Sequence, residues 1–228
     1  VPAGSAPIGI GFDVSVVPEG ALSYLDRSQV SGRVFNTFQF GGYIAWRDAG
    51  RRTVFVDPRG NVDIQLLERA QLARREPSVL DDLHRRFGFE SAVIAYPAGV
   101  RDWMALDVAL PHPAWALVYW DDVALVYLRR SGPHASVVAR DEYRFAKPAN
   151  GPAAIQKAAL DPVSAAGVDS ELRRAVAASD SFYPKTLLGV ALTARNELND
   201  AIGLLLAARS DAPPAKRAGV AAWLGIAY

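Results

Sequence analysis

The residues with the best claim to chemistry lie between positions 36 and 59, with one outlier. Asp57 and Arg59 follow an apolar run, residues 53–56, that reads as a strand ending in the turn composition Asp57-Pro58-Arg59-Gly60. A carboxylate and a guanidinium beyond the carboxyl end of a parallel strand stand where open α/β sheets bind ligands. Asn36 falls near the end of the preceding strand, and Gly41-Gly42, followed by Tyr43, could let backbone N–H groups approach an anion. Asp121 completes the candidate binding set as a second partner for Arg59. The competing reading is structural, with Arg59 pairing to Asp57 or Asp121 to seal the sheet edge. Arg59 beside Asp57 favours the charged carboxylate, which suits orienting an anion better than general-acid work. No residue is assigned a catalytic role.

Spacing argues against the other familiar chemistries. Gly9-Ile10-Gly11 is followed by Val14, so the dinucleotide fingerprint fails, and no Walker loop or G-x-S-x-G elbow occurs. No D-x-D pair exists, and His84, His112 and His134 lack zinc-ligand spacing. With no cysteine, thiolate sites and disulfides are impossible. No metal and no cofactor is therefore expected. Lys and Arg number 25 against 24 Asp and Glu, a net charge of +1, which does not point to nucleic acid. The basic residues of the segment 69–86 interleave with acidic ones, the pattern of a solvated helix face, on which His84 is expected. Half of the residues are hydrophobic, ample for a packed core.

No segment approaches the roughly 20 apolar residues that span a bilayer. The first residues carry no basic region or long apolar run, and no initiator Met, so the sequence reads as a piece of something longer.

These residues must be positioned by an alternation of strands and helices. Residues 8–17, 33–38, 53–56 and 92–96 read as strands. Helical spacing is expected at 19–29, opened by Pro18, and at 43–48, 62–75, 78–87 and 102–110. Residues 115–119 and 123–128 form a hairpin about Trp120-Asp121-Asp122. The fold class expected is α/β, a mainly parallel sheet with an antiparallel edge hairpin and flanking helices, over residues 1–130. Residues 131–152, with Gly132, Pro133, Pro148, Gly151 and Pro152, read as a linker or wrapped loop.

Residues 153–228 are rich in Ala and Leu with helical spacing throughout. Leu188-Gly189 recurs as Leu224-Gly225, and Ala201, Leu205, Ala208 and Pro213 fall between. Small residues permit close helix crossing and proline ends the second helix. Residues 182–211 thus match one tetratricopeptide-like unit, with partial units on either side and an ordinary helical hairpin as the alternative. Such a tail implies a protein partner.

The first half also carries a family cadence. It runs through Pro18, Ala21 and Leu25, then Gly32-Arg33-Val34-Phe35-Asn36, then Gly41-Gly42-Tyr43-Ile44 with Trp46. It continues with Val54-Phe55-Val56-Asp57 and Arg59, and closes with Trp115, Val118-Tyr119 and Asp121. Over roughly residues 10–130 this resembles the soluble segment after the last membrane helix in bacterial multi-spanning proteins similar to C-type, lipid-linked-sugar glycosyltransferases. A more distant likeness is to the soluble domain of oligosaccharyltransferase catalytic subunits. Phe38-Gln39-Phe40-Gly41-Gly42-Tyr43 stands where those carry a WWDYG-like turn, but the Trp-Trp-Asp is missing. The resemblance implies a non-catalytic domain on the extracytoplasmic face, next to the membrane part of its parent, because the catalytic acids of those enzymes lie in membrane loops. The rival expectation is a small stand-alone α/β enzyme or ligand-binding domain with its site at the strand carboxyl ends.

Overall fold

Strands that are apolar at nearly every position need cover on both faces of their sheet, and this sheet has it. The structure, a computed structural model, describes residues 16–59, 63–73, 76–95 and 113–228. Five strands, β1 (Gly32–Asn36), β2 (Arg52–Val54), β3 (Ser91–Ala95), β4 (Trp115–Trp120) and β5 (Ala124–Arg129), form one sheet in the order β2-β1-β3-β5-β4. β1 pairs in parallel with β2 and β3, and β5 pairs antiparallel with β3 and β4. The sheet is therefore mixed, half its pairings parallel, where the sequence suggested a mainly parallel one. The difference arises because the hairpin enters through β5, which lies inside the sheet between β3 and β4.

Alternate residues split between two cores. On one face Val34, Val93, Ala116 and Val126 pack under α1 (Glu19–Arg27), α2 (Phe38–Asp48) and α5 (Ala135–Asp141). On the other, Phe35, Ile94, Leu117 and Tyr127 pack under α3 (Ile64–Leu72) and α4 (Pro77–Phe87). A β-bulge between Leu117 and Tyr119 turns both Val118 and Tyr119 toward the first face. Among the described residues, no helix is long and apolar enough to cross a membrane.

Several expected boundaries shift for local reasons. The strand expected at 33–38 ends at Asn36. Thr37 N–H donates to Val93 O and Thr37 Oγ1 accepts from Ala95 N–H, so the chain turns there and α2 starts at Phe38 rather than at 43. The expected linker 131–152 contains α5, with Val137 and Val138 buried against the sheet. Residues 8–15 of the first expected strand, and the expected helix at 102–110, lie outside the described residues. Residues 16 and 17 form a turn and bend.

Five further helices follow: α6 (Gly151–Leu160), α7 (Ala165–Ala178), α8 (Phe182–Ala194), α9 (Leu198–Asp211) and α10 (Pro214–Ala227). Each packs on the next, and α8 also touches α6 and α10. Leu188, Leu192, Ala201, Leu205 and Ala208 are buried in one cluster, as expected of a shared helix interface. That cluster is continuous with the α3–α4 face of the sheet through Trp120, Tyr143 and Ile155.

Candidate functional site

The carboxyl ends of β1 and β2 bring together five of the expected site residues. Asn36 is 1 % exposed, and its amide is fully engaged. Nδ2 donates to Val56 O (2.9 Å) and Thr37 O (3.0 Å), while Oδ1 accepts from Phe55 N–H (2.8 Å). The side chain thus continues the β1–β2 pairing past the point where the strand stops. A Cβ on Gly41 would lie 2.0 Å from Val56 O, so glycine is what lets α2 rest on this segment. Gly42 faces the Arg59 side chain, with 3.7 Å from an added Cβ to Cδ. Both glycines sit inside α2, where backbone N–H groups bond to carbonyls four residues back. They are not an open anion-binding loop.

Asp57 and Arg59 do meet. Arg59 Nη2 donates to Asp57 Oδ2 at 2.6 Å, Nε reaches both carboxylate oxygens, and Arg59 N–H caps Oδ1 at 3.0 Å. The guanidinium hydrogen bonds hold the Asp57 carboxyl below the usual aspartate range. A half-buried carboxylate kept ionised in this way has no proton to donate near neutrality.

Two expected members stand elsewhere. Tyr43 donates its hydroxyl to Glu19 Oε2 at 2.8 Å, and burial followed by that carboxylate pushes it up to about 12. Asp121 lies in the β4–β5 turn against α1, not beside Arg59. It accepts from Tyr119 Oη (2.9 Å) and from the N–H groups of Val123 (2.8 Å) and Ala124 (2.7 Å). Burial raises its pKa against those bonds. The strand order separates Asp121 from the strand-end cluster, since β4 lies at the edge of the sheet opposite β2, with β5 and β3 between it and β1.

Three concavities are relevant. One of about 180 Å³ opens at the strand ends beside Asn36, Thr37, Gln39, Val56 and Gln71. It is smaller than the roughly 300 Å³ at which small-molecule sites begin. A broad cleft of about 510 Å³ runs along α4 between Ser78, His84 and Arg129. His84 is not on a solvated face as expected. Its ring packs edge-on to Phe89 and Trp115, with Nε2 3.2 Å from Glu90 Oε1 and Nδ1 2.7 Å from Arg129 Nη1. Both ring nitrogens are engaged, so His84 is poorly placed to act as a base.

The third concavity, of about 160 Å³, lies in the helical tail where α6, α8 and α10 converge. Pro152, Phe182, Tyr183, Val220 and Trp223 make its walls almost wholly apolar. Sequence reasoning did not single out these residues. Trp223, set three residues after the buried Val220 on α10, was the available signal.

Other charged groups escaped the sequence reading because their partners are distant along the chain. Arg47 and Arg52 join Glu19, Asp26 and Asp48 into a network beneath α1 and α2, with Asp48 0 % and Arg52 4 % exposed. Glu171 of α7, 7 % exposed, accepts from the backbone N–H groups of Arg144, Phe145 and Ala146. Removing one partner from such a buried, satisfied arrangement is strongly destabilising, which gives these groups a structural role. Among the described residues, no group of three or more His, Asp or Glu side chains is arranged to hold a metal ion. Comparison with protein-family models, with curated proteins and with solved structures found no match.

Proposed function

We propose that this chain is a non-catalytic binding domain whose helical tail, a tetratricopeptide-like array, holds a segment of a protein partner. The observation that carries the reading is the groove between α6, α8 and α10. Its apolar, aromatic walls and side-chain-sized volume suit an anchoring leucine or aromatic residue of a peptide. The α/β part acts as the platform. Its strand-end polar groups are committed to one another, through Asn36 on the 55–56 backbone and Arg59 on Asp57. The resemblance in residues 10–130 supports a place beside the membrane part of a glycosyltransferase-like parent, on the extracytoplasmic face.

The test is an array of short peptides with single Leu, Phe or Trp anchors, screened with the labelled chain. Hits should lose binding to Trp223→Ala while that variant keeps its helical circular dichroism. A second reading places a ligand of only a few atoms in the strand-end cavity, where exposed Gln39 lines the opening. Peptide hits indifferent to Trp223→Ala, with small-ligand binding lost in Gln39→Ala, would support it instead.

A further inference from the structure

Arg47, Arg52, Arg59 and Arg130 each donate to a carboxylate at 2.6–3.0 Å. Arg129, at the end of β5 with its side chain 20 % exposed, does not. Among the described residues, the carboxylate it approaches is that of Glu90, whose Oε2 stands 4.0 Å from Nε, beyond hydrogen-bond reach. Its side-chain hydrogen bond runs instead from Nη1 to His84 Nδ1, at 2.7 Å. A guanidinium always donates, so Nδ1 accepts, and His84 is held as the neutral tautomer that donates from Nε2 to Glu90 Oε1. The guanidinium also lies over the Trp115 ring, 6.0 Å from its centroid. An imidazole and an indole therefore orient Arg129 without neutralising it. Nη2 makes no hydrogen bond among the described residues.

This half-buried cation lines the cleft along α4, whose 510 Å³ lies well above the roughly 300 Å³ at which small-molecule sites begin. The cleft shares no lining residue with the tail groove or the strand-end cavity. Its helical wall carries Ser78, Asp81 and Arg85, three and four residues apart and so on one face of α4. Ser78 and Arg85 are exposed donors. Asp81 sets the charge of what can enter. Its carboxylate opposes a second negative charge, which a phosphate brings at neutral pH and a carboxylate does not. A carboxylate also matches the planar edge of a guanidinium.

We propose that the cleft along α4 is a binding site for a small organic carboxylate, received by Arg129 with Ser78 and Arg85 as further donors. The same chemistry is offered by a free acid and by the terminal carboxylate of a peptide. Use of this site does not depend on the tail groove being occupied.

The probe is sodium benzoate, titrated into the isotope-labelled full chain while NMR follows Arg129 Nε–H and the backbone N–H groups of Ser78 and Arg85. Saturable shifts are expected, with a dissociation constant on the order of 1 mM. Arg129→Gln should weaken benzoate at least about tenfold, and inorganic phosphate should bind the parent chain more weakly than benzoate does. Acetylated triglycine, as the acid and as the amide, separates the sources. An acid that binds more tightly than benzoate, with no binding of the amide, assigns the site to a peptide terminus, and weaker binding assigns it to a free acid. A thermal scan verifies that each variant is folded. Should Arg129→Gln unfold, Asp81→Asn tests the site from the opposite wall and should tighten benzoate roughly threefold. Absence of a saturable shift, or benzoate affinity unchanged in Arg129→Gln or in Asp81→Asn, would overturn the proposal. So would phosphate binding as tightly as benzoate.

Discussion

Asp122, in the turn between β4 and β5, caps the helix that begins at Phe182. Its carboxylate accepts from Phe182 N–H at 2.9 Å and from Tyr183 N–H at 3.0 Å, across 60 residues of sequence. Two orphan donors of the α8 first turn are thereby satisfied from the sheet. Phe182 and Tyr183 also wall the apolar groove, so the cap fixes the groove relative to the platform. Asp122→Ala should lower stability by about 1–2 kcal/mol. Denaturant titration with a probe in the tail checks this, and an unchanged midpoint would remove the cap from the account.

The same residue sets a pH dependence. Burial raises Asp122 to about 6, whereas an unfolded aspartate titrates near about 3.9. The folded state therefore holds the proton more tightly than the unfolded one. The stability from this group is full below the unfolded value and is lost as pH rises through about 6. The difference between pH 4 and pH 7.5 is on the order of 2–3 kcal/mol. Urea midpoints of the parent chain should fall relative to Asp122→Asn over that window. Parallel curves for the two proteins would contradict the assignment.

Glu171 joins the tail to the segment after α5 by receiving three consecutive backbone N–H groups at 2.8–2.9 Å. Its truncation leaves those donors short of a partner, the Ala146 N–H in a buried place and the other two in partly buried ones. We expect Glu171→Ala to cost about 3 kcal/mol or more, and Glu171→Gln less, because one amide oxygen still accepts. Equilibrium unfolding measures both, and equal small losses would show that water replaces the carboxylate.

Ala201 is 0 % exposed in the interface that Leu205 makes with α8. Ala201→Leu should overpack it and destabilise by about 1–3 kcal/mol. An unchanged melting temperature would mean that the hairpin is looser than its packing implies.

Residues such as Ala201 show what could be read from sequence. Its burial, and that of Leu188, Leu192, Leu205 and Ala208, followed from helical spacing, because the partners lie within one hairpin. The five described strands also matched apolar runs within a few residues. The sheet order did not follow, since nothing local tells β5 to insert beside β3. At the candidate site, Asp57 and Arg59 were legible because they are two residues apart. Asp121 was misplaced because its distance from Arg59 depends on the sheet order, which sets β4 at the opposite edge from β2, while its actual partners, Tyr119 and the turn N–H groups, are two or three residues away. Asp122 and Glu171 gave no signal at all, for the helix-capping and loop donors they accept from are backbone groups 25–61 residues away.

We propose that binding resides in the groove of the tail and not at the strand ends. Isothermal titration of one array-selected peptide into the parent chain, Trp223→Ala and Asp57→Asn tests it most directly. Among the described residues, Asp57 pairs only with Arg59 in a partly exposed bridge that contributes little to stability, whereas Trp223 packs on the core of the tail, so a thermal scan of each variant verifies that it is folded at the titration temperature. We expect Trp223→Ala to weaken the peptide at least about tenfold, a loss of about 1.4 kcal/mol, and Asp57→Asn to leave it unchanged. Full affinity in Trp223→Ala together with loss in Asp57→Asn would contradict the claim and return the site to the ends of the strands.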